Sequence, residues 1–65
     1  MTQTELVLAY IDQYGSITAR DAMLELGIYR LAARVADLKQ LGYNIVSTMK
    51  YENGRRWAEY GLGHS

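Results

Sequence analysis

Leu26-Gly27-Ile28-Tyr29-Arg30-Leu31-Ala32-Ala33-Arg34-Val35-Ala36-Asp37-Leu38, closed by Gly42-Tyr43-Asn44-Ile45, is the run that decides the architecture of this 65-residue chain. At about 100° per residue, Leu31, Val35 and Leu38 fall within an arc of about 60° and form one apolar stripe. They predict a helix over about Tyr29 to Leu41, ended by Gly42. Tyr29, Arg30, Ala33, Ala36, Asp37 and Gln40 take the opposite side, with Arg34 on the border. Just upstream, a shorter helix through Ala22, Met23 and Leu26 stops at Gly27. Gly27 and Ile28, or these with Tyr29, are then all that separates the two helices, a tight glycine-containing turn.

Working outward, Thr18 reads as the N-cap of that shorter helix, with Asp21 placed to favour its positive end. Ser16-Ile17-Thr18 is too short for a helix and fits a single strand. Before it, Thr2 or Thr4 caps a first helix that runs to about Tyr14 and stops at Gly15. Val7, Tyr10, Ile11 and Tyr14 give its apolar spacing, and Leu8 widens the buried face. After Gly42 the period changes to two: Tyr43, Ile45, Ser47, Met49 and Tyr51 share one face, and Asn44, Val46, Thr48 and Lys50 the other. Asn53-Gly54 between two such runs is a strong hairpin signal, since both residues tolerate positive φ. A two-residue turn pairs Glu52 with Arg55, Tyr51 with Arg56, Lys50 with Trp57 and Ile45 with Leu62. Tyr60, Leu62, Ile45 and Met49 then face the core, and Trp57 faces out. The expected core is Val7, Ile11, Ile17, Ala22, Leu26, Ile28, Leu31, Val35, Leu38, Ile45 and Leu62.

Composition bounds what such a chain can be. Hydrophobic residues make up 49%, too many for a disordered segment. With no Cys, neither a disulfide framework nor a thiolate metal site can supplement the thin core of so short a chain. No apolar run approaches the roughly 20 residues of a membrane span, and no basic-then-apolar signal pattern opens the chain. The expectation is one domain over residues 1–65, frayed at 1–3 and 63–65, in a cytoplasmic protein without a membrane association. Net charge is zero, but unevenly spread. Residues 1–27 carry Arg20 against Glu5, Asp12, Asp21 and Glu25, a net of −3; residues 28–56 carry six cations against Asp37 and Glu52, a net of +4; Glu59 closes the balance. A basic side of this kind can steer onto phosphates, with modest and salt-sensitive affinity.

The chemistry-bearing residues point the same way. Ala33 and Ala36 leave the outer face of the third helix low enough for close approach to a groove. Tyr29, Arg30, Arg34 and Gln40 on and beside it can reach phosphates or base edges. Asp37 would repel phosphates unless it accepts from a cytosine amine or pairs with Arg34 one turn earlier. Arg34 has a structural alternative, pairing with an acidic residue of the first or second helix. At the hairpin tip, Arg55 and Arg56 with Lys50 nearby form a basic ribbon for the DNA backbone or minor groove. The plain alternative is a soluble turn with a weak Glu52–Arg55 pair. Trp57 marks an interface, stacks on Lys50, or joins the core if a bulge shifts the register. Catalysis finds no support: His64 is the lone histidine, and no nucleophile set, metal spacing or phosphate-cradling glycine loop is present. Neither an enzyme nor a cofactor is expected.

These features together give an α+β winged helix-turn-helix, three helices with a small antiparallel β-hairpin wing. The stretch from Gly15 to Leu62 also resembles a family of small winged helix-turn-helix domains of bacterial and phage genomes. The resemblance is carried by Gly15-Ser16-Ile17-Thr18 with Ala22, Leu26-Gly27-Ile28, Leu31-Ala32-Ala33-Arg34-Val35, Asp37-Leu38, Gly42-Tyr43 with Ile45, and Tyr60 with Leu62. It implies binding to double-stranded DNA, by a regulator or an excisionase-like factor of a mobile element. One copy reads few base pairs, so a homodimer or cooperative oligomer on DNA is expected, joined through Trp57 or the first helix. The rival reading is a protein-binding winged helix, a phage-encoded inhibitor or adaptor of a host protein.

Overall fold

Two of the three helices begin on a reciprocal cap written into the sequence. Residues 1–63 are described by the computed structural model, in the order α1 (Gln3–Tyr14), β1 (Ile17–Thr18), α2 (Ala19–Leu26), α3 (Leu31–Gln40), β2 (Ile45–Glu52) and β3 (Arg55–Leu62). The fraying expected at His64 and Ser65 lies outside the described residues. At α1, Thr2 Oγ1 accepts from the Glu5 N–H and the Glu5 carboxylate accepts from the Thr2 N–H, both at 3.1 Å. The helix therefore opens at Gln3, inside the segment expected to fray. Thr18 and Asp21 repeat the pattern at α2, again at 3.1 Å each way. Each cap satisfies two backbone donors that a helix start would leave unpaired.

Helix ends follow the glycines. Gly15, Gly27 and Gly42 adopt φ of 92°, 68° and 102°, left-handed backbone that a side chain would strain. After α3, the Tyr43 N–H bonds Leu38 O and the Gly42 N–H bonds Lys39 O, a two-bond closure that pins the turn into β2.

The start of α3 differs from expectation. It begins at Leu31, so Tyr29 and Arg30 belong to the connection. Arg30 sits at φ −118°, ψ 60°, and its carbonyl accepts the first helical bonds, from Ala33 and Arg34. The cause is Ile28. Its N–H bonds Ala22 O at 2.9 Å and its side chain is buried, so the chain needs Tyr29 and Arg30 to climb back out before a helix can start.

The strands form one antiparallel sheet in the order β1-β3-β2. Asn53 and Gly54 both take positive φ, and every expected pair is realised, from Glu52–Arg55 through Lys50–Trp57 to Ile45–Leu62. β1 extends the sheet by pairing Ile17 with Tyr60 and Thr18 with Glu59. Gly61 answers a close approach, since a Cβ there would lie 3.0 Å from the Gly15 carbonyl oxygen.

Val7, Ile11, Ile17, Ala22, Ile28, Leu31, Val35, Leu38 and Ile45 form the core, with Leu26, Tyr60 and Leu62 packed partly buried against it. At about 1.5–3 kcal/mol for each fully buried large aliphatic side chain, this cluster supplies the main stabilisation of the fold. Met49 was expected to join it and does not; it is 45% exposed. Ile45 is the one buried residue of β2; the rest of the strand is exposed, since among the described residues the hairpin runs past the helices that cover Ile45. Tyr14 is likewise exposed and rests against the ring of Tyr10, centroids 4.5 Å apart.

Candidate nucleic-acid interface

Alternation along the hairpin divides its charges between two faces. Ile45 and Leu62 face the core, so Ser47 with Tyr60, Met49 with Ala58, and Tyr51 with Arg56 continue that side of the sheet. Lys50 with Trp57 and Glu52 with Arg55 lie on the other. Arg56 is thus turned to the same side as α3, whereas Arg55 and Lys50 are not. The unbroken register leaves Trp57 out of the core, half-buried on the outer face.

Between α3 and the inner face of the hairpin lies a shallow groove. Ala19, Ala32 and Ala58 keep its floor low, Ala33 packs its wall, and Tyr29, Arg30 and Tyr60 edge it. A second cleft meets it at Ala19 and continues between the start of α2 and the hairpin tip, where Arg20, Arg55, Arg56 and Trp57 line it. Exposed Arg30 thus edges the alanine-lined groove, and exposed Arg20, Arg55 and Arg56 line the cleft that meets it at Ala19. Tyr29, 80% exposed, stands at the edge of the groove. Such a surface lets a polyanion approach closely and meets its charge with planar donors suited to phosphate.

Of the acidic groups near this surface, Asp21 and Asp37 are occupied, whereas Glu52 lines the cleft itself beside Arg55. The Asp21 carboxylate caps α2 on Thr18. Asp37 holds Arg34, with Oδ2 3.0 Å from Nε, and Arg34 Nη1 donates to Gln3 Oε1 at 3.2 Å. The Nε contact is one of charge, because that nitrogen makes no hydrogen bond among the described residues. Arg34 therefore ties α3 to the first residue of α1. The structural alternative for this side chain is thus present, through Gln3 and Asp37 in place of an acid on α1 or α2.

The other singled-out residues are distributed as follows. Tyr29 and Arg30 lie at the head of α3, and Ala33 is half-buried in the groove wall. Gln40 is exposed, and with Ala32, Ala36 and Lys39 it makes the open strip of α3. Arg20, Ala32 and Lys39 were not singled out from the sequence. Arg20 falls in the acidic N-terminal half, and its one signal is its position just after the Thr18 cap. Lys39 and Ala32 emerge because the half-buried flank, Ala33, Arg34 and Asp37, turns the open side of α3 the other way.

Two ionisable groups away from the surface are perturbed. The Thr2 N–H, and then its hydroxyl, hold the Glu5 carboxyl below its ordinary value. Burial pushes the Tyr10 phenol up, with the charges of Asp21 and Glu25 adding to it. Among the described residues no group of three His, Cys, Asp or Glu could hold a metal ion, and no helix is long and apolar enough to cross a membrane.

A family model described as a winged helix-turn-helix domain matches residues 2–65. No curated protein and no solved structure matches the chain.

Proposed function

The chain belongs to the winged helix-turn-helix domain family, and from that premise we propose that it binds duplex DNA. In this reading α3 lies in the major groove with its open strip, Ala32, Ala36, Lys39 and Gln40, toward the base edges. Tyr29 and Arg30 meet the strand at the head of the helix. Arg56 grips the adjacent backbone from the inner face of the wing, Arg55 from its tip and Arg20 from the start of α2, while Lys50 lies behind the tip on the outer face and adds to its positive charge. Ala33 packs the groove wall, while Arg34 and Asp37 hold α3 against α1. The observation that carries the reading is the alanine-lined groove edged by Arg30, which meets at Ala19 a cleft lined by Arg20, Arg55 and Arg56. The role is that of a transcriptional regulator or excisionase-like factor of a phage or mobile element, acting in the cytoplasm.

The test is a binding titration with random-sequence duplex DNA, with a selection from a randomised pool beside it. Micromolar binding that weakens steeply with salt, together with an enriched motif, supports the reading. Absence of binding at about 50 mM salt overturns it and leaves the same surface to a protein partner.

A further inference from the structure

β2 is the outer strand of the sheet, and among the described residues no strand lies beyond it. Its eight residues pair with β3 without a bulge, and all but Ile45 are exposed. In a two-residue hairpin the residues flanking the turn form a hydrogen-bonded pair, and the pattern alternates from there. The backbone groups of Glu52, Lys50, Thr48 and Val46 are thereby turned to β3. Those of Tyr51, Met49 and Ser47 point off the open edge. Exposed edges are ordinarily guarded by proline, bulges or several charges. This one has no proline, no bulge and only Lys50 before the terminal Glu52. It also displays Val46, Met49 and Tyr51, which are 44%, 45% and 73% exposed.

We propose that two copies of this chain associate by antiparallel pairing of their β2 edges, about a two-fold axis through Thr48 perpendicular to the sheet. The register follows from chemistry. An axis of that kind places opposed residues on the same face, so it must pass through a residue position. Centred on Thr48, Ser47 opposes Met49, and the outward backbone groups of these two residues exchange hydrogen bonds twice over. Lys50 opposes Val46 and lays its aliphatic stem on it. Tyr51 opposes Ile45, and Glu52 opposes Asn44. No like charges meet directly or on the diagonal. Centred on Lys50, the two ammonium groups would face each other; centred on Met49, they would be diagonal neighbours. The Thr48 register also covers all three exposed apolar side chains of the strand. The product is a six-stranded sheet, β1-β3-β2-β2-β3-β1, with both α3 helices on one side of it. The expected contact through Trp57 or α1 is replaced by one that leaves the groove and the arginine-lined cleft open.

The pairing is tested without DNA, so its failure and that of the DNA reading are separable. Sedimentation equilibrium is run on the wild type, on Thr48→Lys, on Thr48→Glu and on an equimolar mixture of the two variants, with circular dichroism to confirm folding. The wild type is expected as a dimer. Each variant is expected as a monomer, since its new charge opposes itself across the axis, and the mixture is expected to regain the dimer. A second variant, Thr48→Cys, is expected to oxidise to a covalent dimer, because opposed residues at a non-hydrogen-bonded position lie about 4.5 Å apart between Cα atoms, within disulfide reach. A monomeric wild type at the highest soluble concentration overturns the proposal. So do variants that stay dimeric, or a mixture that stays monomeric while Thr48→Cys fails to cross-link.

Discussion

Removing two arginines from the wing should halve the salt dependence of DNA binding, and the size of the change follows from where the charges sit. Arg30 is exposed at the edge of the groove and Arg20, Arg55 and Arg56 along the cleft that meets it, while Arg34 is engaged by Asp37 and Gln3. Taking one phosphate contact for each of the four, the slope of log K against log salt is about −3.6, from about −0.9 per contact on duplex DNA. Raising salt from about 50 to about 200 mM then weakens binding by about 150-fold. Replacing Arg55 and Arg56 together by alanine leaves two contacts, a slope of about −1.8 and a loss of about 12-fold over the same range. Fluorescence anisotropy with a labelled random-sequence duplex, repeated at several salt concentrations, reads the slope directly. Both positions are exposed beside a two-residue turn, so folding should be unaffected and is checked by circular dichroism. A wild-type slope near zero would refute the electrostatic reasoning. So would a double variant that keeps the wild-type slope, because the wing would then not touch phosphate.

Arg34→Ala supplies the contrast. It should leave the salt slope unchanged and lower stability by only about 0.2–0.5 kcal/mol, the scale of a helix-surface ion pair, as read by urea denaturation. Leu31→Ala empties a buried site directly beneath the head of α3 and should cost about 2–5 kcal/mol; a near-unchanged urea midpoint would contradict the core assignment. Thr18→Ala removes the acceptor for the Asp21 N–H and should cost about 0.5–2 kcal/mol, measured the same way. The Glu5 carboxyl titrates below its ordinary value in the folded chain, so its contribution is full above the unfolded-state value and is lost as pH falls through the folded one. Thermal unfolding across the acid range should show a slope that Glu5→Gln reduces.

Local rules carried most of the fold. Capping boxes, glycine stops and a positive-φ dipeptide act within a few residues, so Thr18–Asp21, Gly15, Gly27, Gly42 and Asn53-Gly54 were legible one by one. The hairpin register needed only the turn, because a two-residue loop fixes every later pair. The stripe of Leu31, Val35 and Leu38 likewise identified the buried side of α3.

Relations between distant segments decided the rest. Alternation gives Met49 the inward direction, but whether anything lies beneath it depends on how far the hairpin outruns the helices, a length set by packing. The start of α3 depended on burial of Ile28 against the other helices, which withdrew Tyr29 and Arg30 from the helix. Arg34 stood at the border on a helical wheel, open to a groove contact or a structural pairing, and only the packing of α1 against α3 brought Gln3 to it. Arg20 read as one cation in an acidic half until β1 paired with β3 and set the start of α2 beside the wing. The sequence by itself determined the elements and their local registers, because those depend on neighbours along the chain. Tertiary structure decided which charges share a surface, because that depends on neighbours across it.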